Sequence, residues 1–113
     1  MTTERNPLEL SKDNFDAEVL ESSTPVLVDF WADWCVPCRR VSPAVERLAE
    51  SYEGRLGVAK LNVDDEPELA RAYQIRSIPS LLIFRDGEVV DRLVGERPFD
   101  ELAKFVERSI DAP

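Results

Sequence analysis

The sequence contains no histidine, and this absence excludes several kinds of catalytic site at once. Ser–His–Asp triads, Cys–His nucleophilic pairs and histidine-rich metal sites all require an imidazole. Cysteine is scarce as well, because the 113 residues hold only 2. A small secreted protein stabilised by disulfides normally carries more cysteines at longer spacings. A tetrahedral zinc site in this chain would need carboxylates or a second chain to complete it.

Long apolar segments are also missing. No apolar run approaches the roughly 20 residues that are needed to span a bilayer. The N-terminal segment MTTERNPLEL lacks the apolar centre of a secretory signal and mixes acidic and basic residues, which argues against a targeting segment. We therefore predict a cytoplasmic protein without a membrane partner.

The charge of the chain is strongly one-sided, with a formal net charge of −9. DNA binding depends on cations that meet phosphates, so we predict no nucleic-acid partner. The acidity is interpreted either as a solvated surface or as steering of basic partners. The length of 113 residues, with 43% hydrophobic and 33% charged residues, is that of one globular domain. We predict that this domain occupies residues 1–113, with the fold itself at about 8–110.

Strand-like and helix-like patterns alternate along the chain. The predicted strands lie at residues 8–10, 25–31, 57–63, 80–85 and 88–94. The predicted helices run from 13 or 14 to about 22, from 35 to about 52, from 67 to 73 and from 99 to about 109.

Individual residues mark the ends and bends of these elements. Asp13 or Asn14 is expected to cap the first helix, and Pro43 is expected to kink the second. Asp86 and Gly87 form the strongest hairpin signal in the chain. The order β-α-β-α-β-α-β-β-α predicts an α/β fold in which a mixed central β-sheet is flanked by helices on both faces.

Cys35 and Cys38 lie where the second predicted strand gives way to a helix. Unpaired N–H groups and the dipole at a helix N-terminus favour a negative charge, and the thiolate is the nucleophile of disulfide exchange. Cys38 lies one helical turn further on, so it can displace the mixed disulfide that Cys35 forms with a partner. Pro37 suits an early helix position because its missing N–H needs no partner there.

A zinc half-site and a purely structural disulfide are the alternative interpretations of this pair. The sequence offers no second cysteine pair and no histidine to complete a zinc site. A disulfide across so short a loop adds less stability than one that closes a long loop. Redox chemistry is therefore the preferred interpretation.

The segment VDFWADWCVPC at residues 28–38 resembles the active-site segment of the thioredoxin family. Further similar stretches follow in the order of that family: VAKLNVD at 58–64, IRSIPS at 75–80, DGE at 86–88 and VG at 94–95. The resemblance runs from about residue 8 to residue 110. It implies a thioredoxin fold in a single thioredoxin domain.

The resemblance also implies an activity and its partners. We expect a protein-disulfide reductase that acts by dithiol–disulfide exchange, without a bound cofactor or metal. Its substrates would be disulfide-containing proteins, and its electron source an NADPH-dependent thioredoxin reductase. Nothing in the sequence indicates an oligomer, so we expect a monomer. A thiol oxidase or isomerase of the same fold, and a thioredoxin-fold binding module or co-chaperone, remain as alternatives.

For Asp29 the resemblance implies a position beneath the disulfide, where the carboxyl group moves protons to and from Cys38. The sequence supports this independently, because Asp29 interrupts the apolar run VLVDFW and burial raises a carboxyl pKa. A solvent-facing position on the strand is the alternative. Lys60 interrupts the neighbouring strand, where it either partners Asp29 or is a surface lysine whose stem covers apolar neighbours.

The resemblance further implies a cis peptide bond before Pro79, packed against the active-site sulfurs. The backbone of Ile78 would then be free to pair with an extended substrate segment. Trp31 is expected to support the active-site loop. The positions that match the flat apolar docking surface of the family, each with core packing or a turn as the alternative, are Trp34, Val36, Pro37, Val63, Ile78, Pro79, Val94 and Gly95.

Three residues depart from the usual family pattern, and the mildest of them is Ser80, which stands where threonine is usual. Val36 stands where glycine is commonest between the cysteines, and it adds stiffness and bulk. Glu96 follows Gly95 where many relatives have a small or apolar residue, so it places a charge at the rim of the docking surface. Arg39 and Arg40 follow the second cysteine and either favour the thiolate or are exposed helix residues.

Overall fold

A five-stranded mixed sheet forms the centre of the computed structural model, which describes residues 7–111. The strands are β1 (Leu8–Glu9), β2 (Val26–Trp31), β3 (Gly57–Asn62), β4 (Ser80–Arg85) and β5 (Glu88–Val94). The helices are α1 (Val36–Ser51), α2 (Pro67–Ala72) and α3 (Phe99–Ile110). This is the predicted α/β fold. The ends of the predicted domain, 1–6 and 112–113, lie outside the described residues.

The strand order in the sheet is β1-β3-β2-β4-β5. The first three strands in this order are parallel, whereas β4 pairs antiparallel with both β2 and β5. Strands β2 and β4 lie inside the sheet and are buried along nearly their whole length. Continuous apolar runs such as VLVDFW are typical of strands that are covered on both faces. Asp29 therefore occupies the interior of the sheet, opposite Lys60 on β3 and Leu81 on β4.

Two apolar cores cover the two faces of the sheet. Successive residues of a strand point to opposite faces, so alternate residues of β2 join different cores. Leu27 packs in the core that α1 and α3 cover, while Val26 and Val28 pack in the other core. By the same alternation Asp29 faces the α1 side, which is where the cysteines lie. The register of β2 thus decides which core the carboxyl group enters.

The predicted first helix is wrong in its extent and in its cap. The chain forms a short π-helical turn over Asp16–Leu20, which is closed by a hydrogen bond of 2.9 Å from the Glu21 N–H to the Asp16 carbonyl. Neither Asp13 nor Asn14 caps it. The residue at the cap position is Phe15, whose side chain makes no capping hydrogen bond.

The side chain of Asn14 instead bonds to the chain that precedes it. Its Oδ1 accepts from the Ser11 N–H at 2.8 Å, and its Nδ2 donates to the Glu9 carbonyl at 3.0 Å. Asparagine side chains commonly satisfy nearby backbone groups in this way, in competition with capping. The result is a turn that is attached to β1 rather than a capped helix.

The remaining elements begin and end within about two residues of their predicted bounds. Helix α1 continues on both sides of Pro43. In the hairpin between β4 and β5, Asp86 and Gly87 have φ angles of 55° and 81°, as a type I′ turn requires. No helix within residues 7–111 is long and apolar enough to cross a membrane.

Candidate active site

Cys35 and Cys38 form a disulfide at the start of helix α1, with their Cα atoms 5.2 Å apart. Cys35 is the residue that caps the helix: its backbone is extended, and its Sγ accepts the Cys38 N–H at 3.2 Å. Pro37 stands in the first turn, as predicted, where no N–H is required. Both cysteines are buried. Because a helix N-terminus and its N–H groups stabilise negative charge, this position favours a Cys35 thiolate once the disulfide is reduced.

Asp29 is buried directly in the strand that leads to the cysteines, with 1% of its surface exposed. Neither carboxylate oxygen has a hydrogen-bond partner among the described residues. Burial in this apolar setting raises the pKa of Asp29 to about 7, against a smaller lowering by the positive charge of Lys60. Asp29 and Cys38 line one cavity of about 280 Å³, together with Trp31, Arg39, Ser42 and Lys60.

Lys60 lies beside Asp29 in the sheet register, but its ammonium group contacts an aromatic ring. The Nζ atom stands 4.2 Å from the centroid of the Trp31 ring, a favourable position for a cation over an indole face. The charge of Lys60 therefore acts on Asp29 through space, while Trp31 holds the end of its side chain. Trp31 and Lys60 also line a second cavity, of about 250 Å³, on the β1 side of the site.

The Ile78–Pro79 peptide bond is cis. The carbonyl oxygen of Ile78 lies 3.8 Å from Cys35 Sγ, and the Ile78 side chain packs against the small cluster that contains both cysteines. Pro79 is buried, and its carbonyl accepts the Gly95 N–H at 2.8 Å. Gly95 has a φ of 101°, in the left-handed region that favours glycine. The segment after β5 is thus attached to the segment that faces the disulfide.

The predicted docking residues differ in how far they reach the surface. Trp34, Val36 and Val94 are exposed, by 65%, 45% and 46% respectively. Val63 and Ile78 are half-buried and line a groove of about 390 Å³ together with Trp34. The indole of Trp34 is held over this groove by a hydrogen bond of 2.9 Å from its Nε1 to Asp64 Oδ2.

The other five docking candidates, Val36, Pro37, Pro79, Val94 and Gly95, do not line this groove. Val36 is the first residue of helix α1. Val94 is the last residue of strand β5, and Gly95 follows it. Pro37 is half-buried, so only part of its ring is accessible. Of the docking candidates, Val63 and Ile78 pack against the cluster that contains both cysteines.

Sequence reasoning missed several residues that shape the site. The groove is also lined by Ile75, Arg76 and Ser77, which belong to the stretch that resembled the family but received no role. Ser42 lines the Asp29 cavity four residues after Cys38, a spacing that places both on one helix face. Asp64 belongs to another similar stretch and was assigned no role. Nothing in the sequence around it indicates that its carboxylate accepts a hydrogen bond from a tryptophan 30 residues away.

Arg39 and Arg40 are both exposed and both have polar partners. The Arg39 guanidinium donates to the Asp33 carbonyl at 2.8 Å, which braces the loop that precedes Cys35. Arg40 pairs with Glu96 on the segment after β5. Both are therefore exposed helix residues, which is one of the two interpretations given by the sequence. Each also attaches a neighbouring segment to α1.

A cysteine pair that closes at a helix N-terminus, above a buried carboxyl group, defines a thiol–disulfide oxidoreductase. Comparison with known proteins then specifies the family. The Thioredoxin family model matches residues 6–108. The chain therefore belongs to the thioredoxin family.

Individual relatives agree with this assignment over nearly their whole length. The chain is 49% identical over 102 residues to a thioredoxin of Chlorobaculum thiosulfatiphilum, which covers 90% of this chain and 94% of the relative. It is 47% identical over 102 residues to Thioredoxin 1 of a Nostoc species, covering 90% and 95%. It is 51% identical over 96 residues to Thioredoxin 1 of Synechococcus elongatus, covering 85% and 90%.

Proposed function

We propose that the chain is a protein-disulfide reductase, a thioredoxin whose active site reads Cys-Val-Pro-Cys. The observation that carries this proposal is the Cys35–Cys38 disulfide at the start of α1, where the Cys38 N–H donates to Cys35 Sγ at 3.2 Å. A structural disulfide needs no donor aimed at one of its sulfurs, whereas a reacting thiolate does.

The reaction transfers one pair of electrons from the reduced cysteine pair to a partner disulfide. The Cys35 thiolate attacks one sulfur of that disulfide, a new S–S bond forms, and the second sulfur of the partner leaves as a thiolate. Cys38 then loses its proton and attacks the Cys35 sulfur. The mixed disulfide breaks, the partner leaves with both sulfurs reduced, and the chain is left with the Cys35–Cys38 disulfide.

Asp29 is proposed to accept the proton of Cys38 in the second step. Its pKa of about 7 allows both protonation states near neutral pH. The cavity that it shares with Cys38 is large enough for water to connect the two groups. Lys60, held on the ring of Trp31, is proposed to limit the rise of the Asp29 pKa. Without such a positive charge a larger fraction of the carboxyl groups would be protonated near neutral pH and unable to accept a proton.

Partner proteins are proposed to dock on the surface next to Cys35, on the side where Trp34, Val36 and Val94 are exposed. The groove under Trp34, with Val63 and Ile78, would receive the segment on one side of the partner disulfide. Val36, Val94 and Gly95 would contact the other side, where apolar side chains are exposed. The carbonyl of Ile78 is proposed to pair with the extended backbone of this segment, next to Pro79.

The family of the relatives bears on the electron source of this chain. Because they are thioredoxins, we propose that an NADPH-dependent thioredoxin reductase returns this chain to its dithiol state. The domain limits of 1–113, the monomeric state, the absence of a bound cofactor and the cytoplasmic location stay predictions.

The direction of electron flow is tested by the reduction potential of the cysteine pair. The protein is equilibrated in defined thiol–disulfide buffers, alkylated and weighed. A potential near about −270 mV, the thioredoxin value, supports an electron donor. A potential near about −180 to −120 mV, in the range of isomerases and oxidants, would reverse the proposed direction.

Two matched serine variants test the roles of the cysteines. Cys38→Ser should accumulate partner proteins as mixed disulfides on Cys35, because the resolving thiol is missing. Cys35→Ser should trap none and should lose disulfide reduction. If Cys35→Ser kept full function in a cell that depends on this chain, the binding-module alternative would replace the proposed reductase.

A further inference from the structure

The ion pair between Arg40 and Glu96 joins two segments that lie 56 residues apart in the sequence. The Nε of Arg40 donates to both carboxylate oxygens of Glu96 at 3.1 Å, and its Nη2 lies 3.0 Å from Oε1. The side chains keep 59% and 38% of their surfaces exposed. An exposed pair of this kind contributes little to folding stability. Its larger effect is on the charge that this part of the surface presents.

The pair lies at the rim of the proposed docking surface. Arg40 follows Val36 by four residues on α1, so the two side chains occupy one face of the helix. Glu96 directly follows Gly95, whose N–H is bonded to the Pro79 carbonyl. The ion pair therefore borders the start of α1 on one side and the end of β5 on the other.

The other charges at this rim show what Glu96 contributes. Arg39 donates to a backbone carbonyl, a neutral group that leaves its positive charge uncancelled. Arg97, next to Glu96, lies 3.7 Å from Glu101 and is matched within its own segment. Glu96 is thus the carboxylate that faces Arg40, and without it the Arg40 charge at the rim would be uncancelled.

We propose that Glu96 is a specificity-determining residue of the proposed reductase, because it cancels the Arg40 charge beside the docking surface. With the pair intact, this part of the rim carries no net charge, so it neither favours nor disfavours a charged residue of the docking segment. Removal of Glu96 alone leaves a cation that favours acidic segments. Removal of Arg40 alone leaves a carboxylate that favours basic segments. This inference rests on the proposed function.

The test uses three disulfide-linked peptides that differ only in the residue beside the disulfide, which is Glu, Gln or Lys. The reduced protein is mixed with each peptide at about 0.15 M ionic strength, where charges more than about 8 Å apart are largely screened. Its oxidation is followed by the fluorescence of Trp31 and Trp34. The quantity compared is the ratio of the second-order rate constant for the Glu peptide to that for the Lys peptide.

We expect Glu96→Gln to raise this ratio about two- to fivefold and Arg40→Gln to lower it by a similar factor. The double variant should return to within about twofold of the parent ratio, since neither charge is left uncancelled. Arg55→Gln and Asp111→Asn are the matched controls. They remove the same charges from an exposed pair, 3.7 Å apart, beyond the opposite end of α1, and should leave the ratio unchanged.

Several results would overturn the inference. The ratio would fail to move in either single variant, would move in the same direction in both, or would move equally in the remote controls. The Gln peptide separates this failure from failure of the proposed function. A parent protein that does not reduce the Gln peptide contradicts the reductase itself, whereas reduction of all three peptides with an invariant ratio contradicts only the role of Glu96.

Discussion

At the scale of single residues, the chemistry of Asp29 is decided by its surroundings. Burial raises the pKa of this carboxyl group from 3.8 to about 7, so the folded protein holds a proton that the unfolded chain has already released between these pH values. The free energy of unfolding must therefore fall as the pH rises through this window. Asp29, the proposed proton acceptor, thus destabilises the fold as its carboxyl group becomes ionised.

The first prediction concerns the variant Asp29→Asn. It should raise the free energy of unfolding of the disulfide form by up to about 4 kcal/mol at pH 8, and by much less at pH 4, because the shift from 3.8 to about 7 acts only on the ionised carboxyl group. Urea denaturation at both pH values measures the difference.

The control for this prediction is Glu46→Gln, which removes an exposed carboxylate on α1. It should change the stability little at either pH. An equal gain from Asp29→Asn at both pH values would show that removal of the buried charge is not the cause.

The variant Asp29→Asn should also slow dithiol exchange between pH 6 and 9, and an unchanged rate there would exclude Asp29 as the proton acceptor.

The second prediction concerns the charge of Lys60. Lys60→Gln should raise the pKa of Asp29 above about 7, because it removes the positive charge that lowers it. Lys60→Arg keeps that charge and should leave the pKa nearly unchanged. Carbon NMR titration of the Asp29 carboxyl group in the disulfide form measures both variants. Identical titrations for the two would mean that Asp29 does not respond to the charge at this position.

At the scale of elements, the turn between β4 and β5 is set by its own two residues. Asp86 and Gly87 both adopt positive φ angles, which match the twist of a hairpin. An added Cβ on Gly87 would lie 3.3 Å from the Leu20 carbonyl oxygen, at the end of the π-helical turn. The hairpin is therefore both a local turn and a contact with a distant segment.

The third prediction is that Gly87→Ala lowers the free energy of unfolding by about 1–2 kcal/mol, since the left-handed region is unfavourable for residues with a Cβ. Gly54→Ala is the control, because Gly54 has a similar φ of 87° and no atom within 4 Å of an added Cβ. Urea denaturation of both variants separates the backbone effect from the contact with Leu20. Equal losses would mean that this contact has no effect, and no loss in either would contradict the backbone argument.

At the scale of the whole molecule, the two large cores do not depend on the disulfide. The cores on the two sheet faces are built from the strands and helices, whereas the cysteines belong to a small separate cluster with Ala32. A redox protein needs this separation, because its disulfide must open and close without loss of the fold.

The fourth prediction is that reduction of the Cys35–Cys38 disulfide lowers the free energy of unfolding by only about 2 kcal/mol, the loop-closure value for so short a loop. Urea denaturation with and without dithiothreitol should give one cooperative transition in each case. A variant with serine at both positions should not respond to the reductant. Loss of the cooperative transition on reduction would instead support the structural-disulfide interpretation.

The sequence by itself determined the features that depend on neighbours along the chain. Apolar periodicity located all five strands and the three regular helices, because burial on one or both faces leaves a local pattern. The Asp86-Gly87 turn and the cysteine pair at a helix start were equally readable, since turn geometry and helix N-terminal electrostatics involve only adjacent residues. The dithiol chemistry followed from the cysteine pair. The family followed from the resemblance of the stretches at residues 28–38, 58–64, 75–80, 86–88 and 94–95, taken in that order.

The tertiary structure alone decided how distant residues meet. It placed Lys60 on the ring of Trp31, 29 positions away in the sequence, and joined Arg40 to Glu96, 56 positions away. Desolvation and charge pairing depend on what packs around a group from every side. The apolar run around Asp29 predicted that its pKa is raised, and Glu96 predicted a charge at the docking rim. Only the folded chain showed that the Asp29 carboxylate has no hydrogen-bond partner among the described residues and that Arg40 cancels the Glu96 charge.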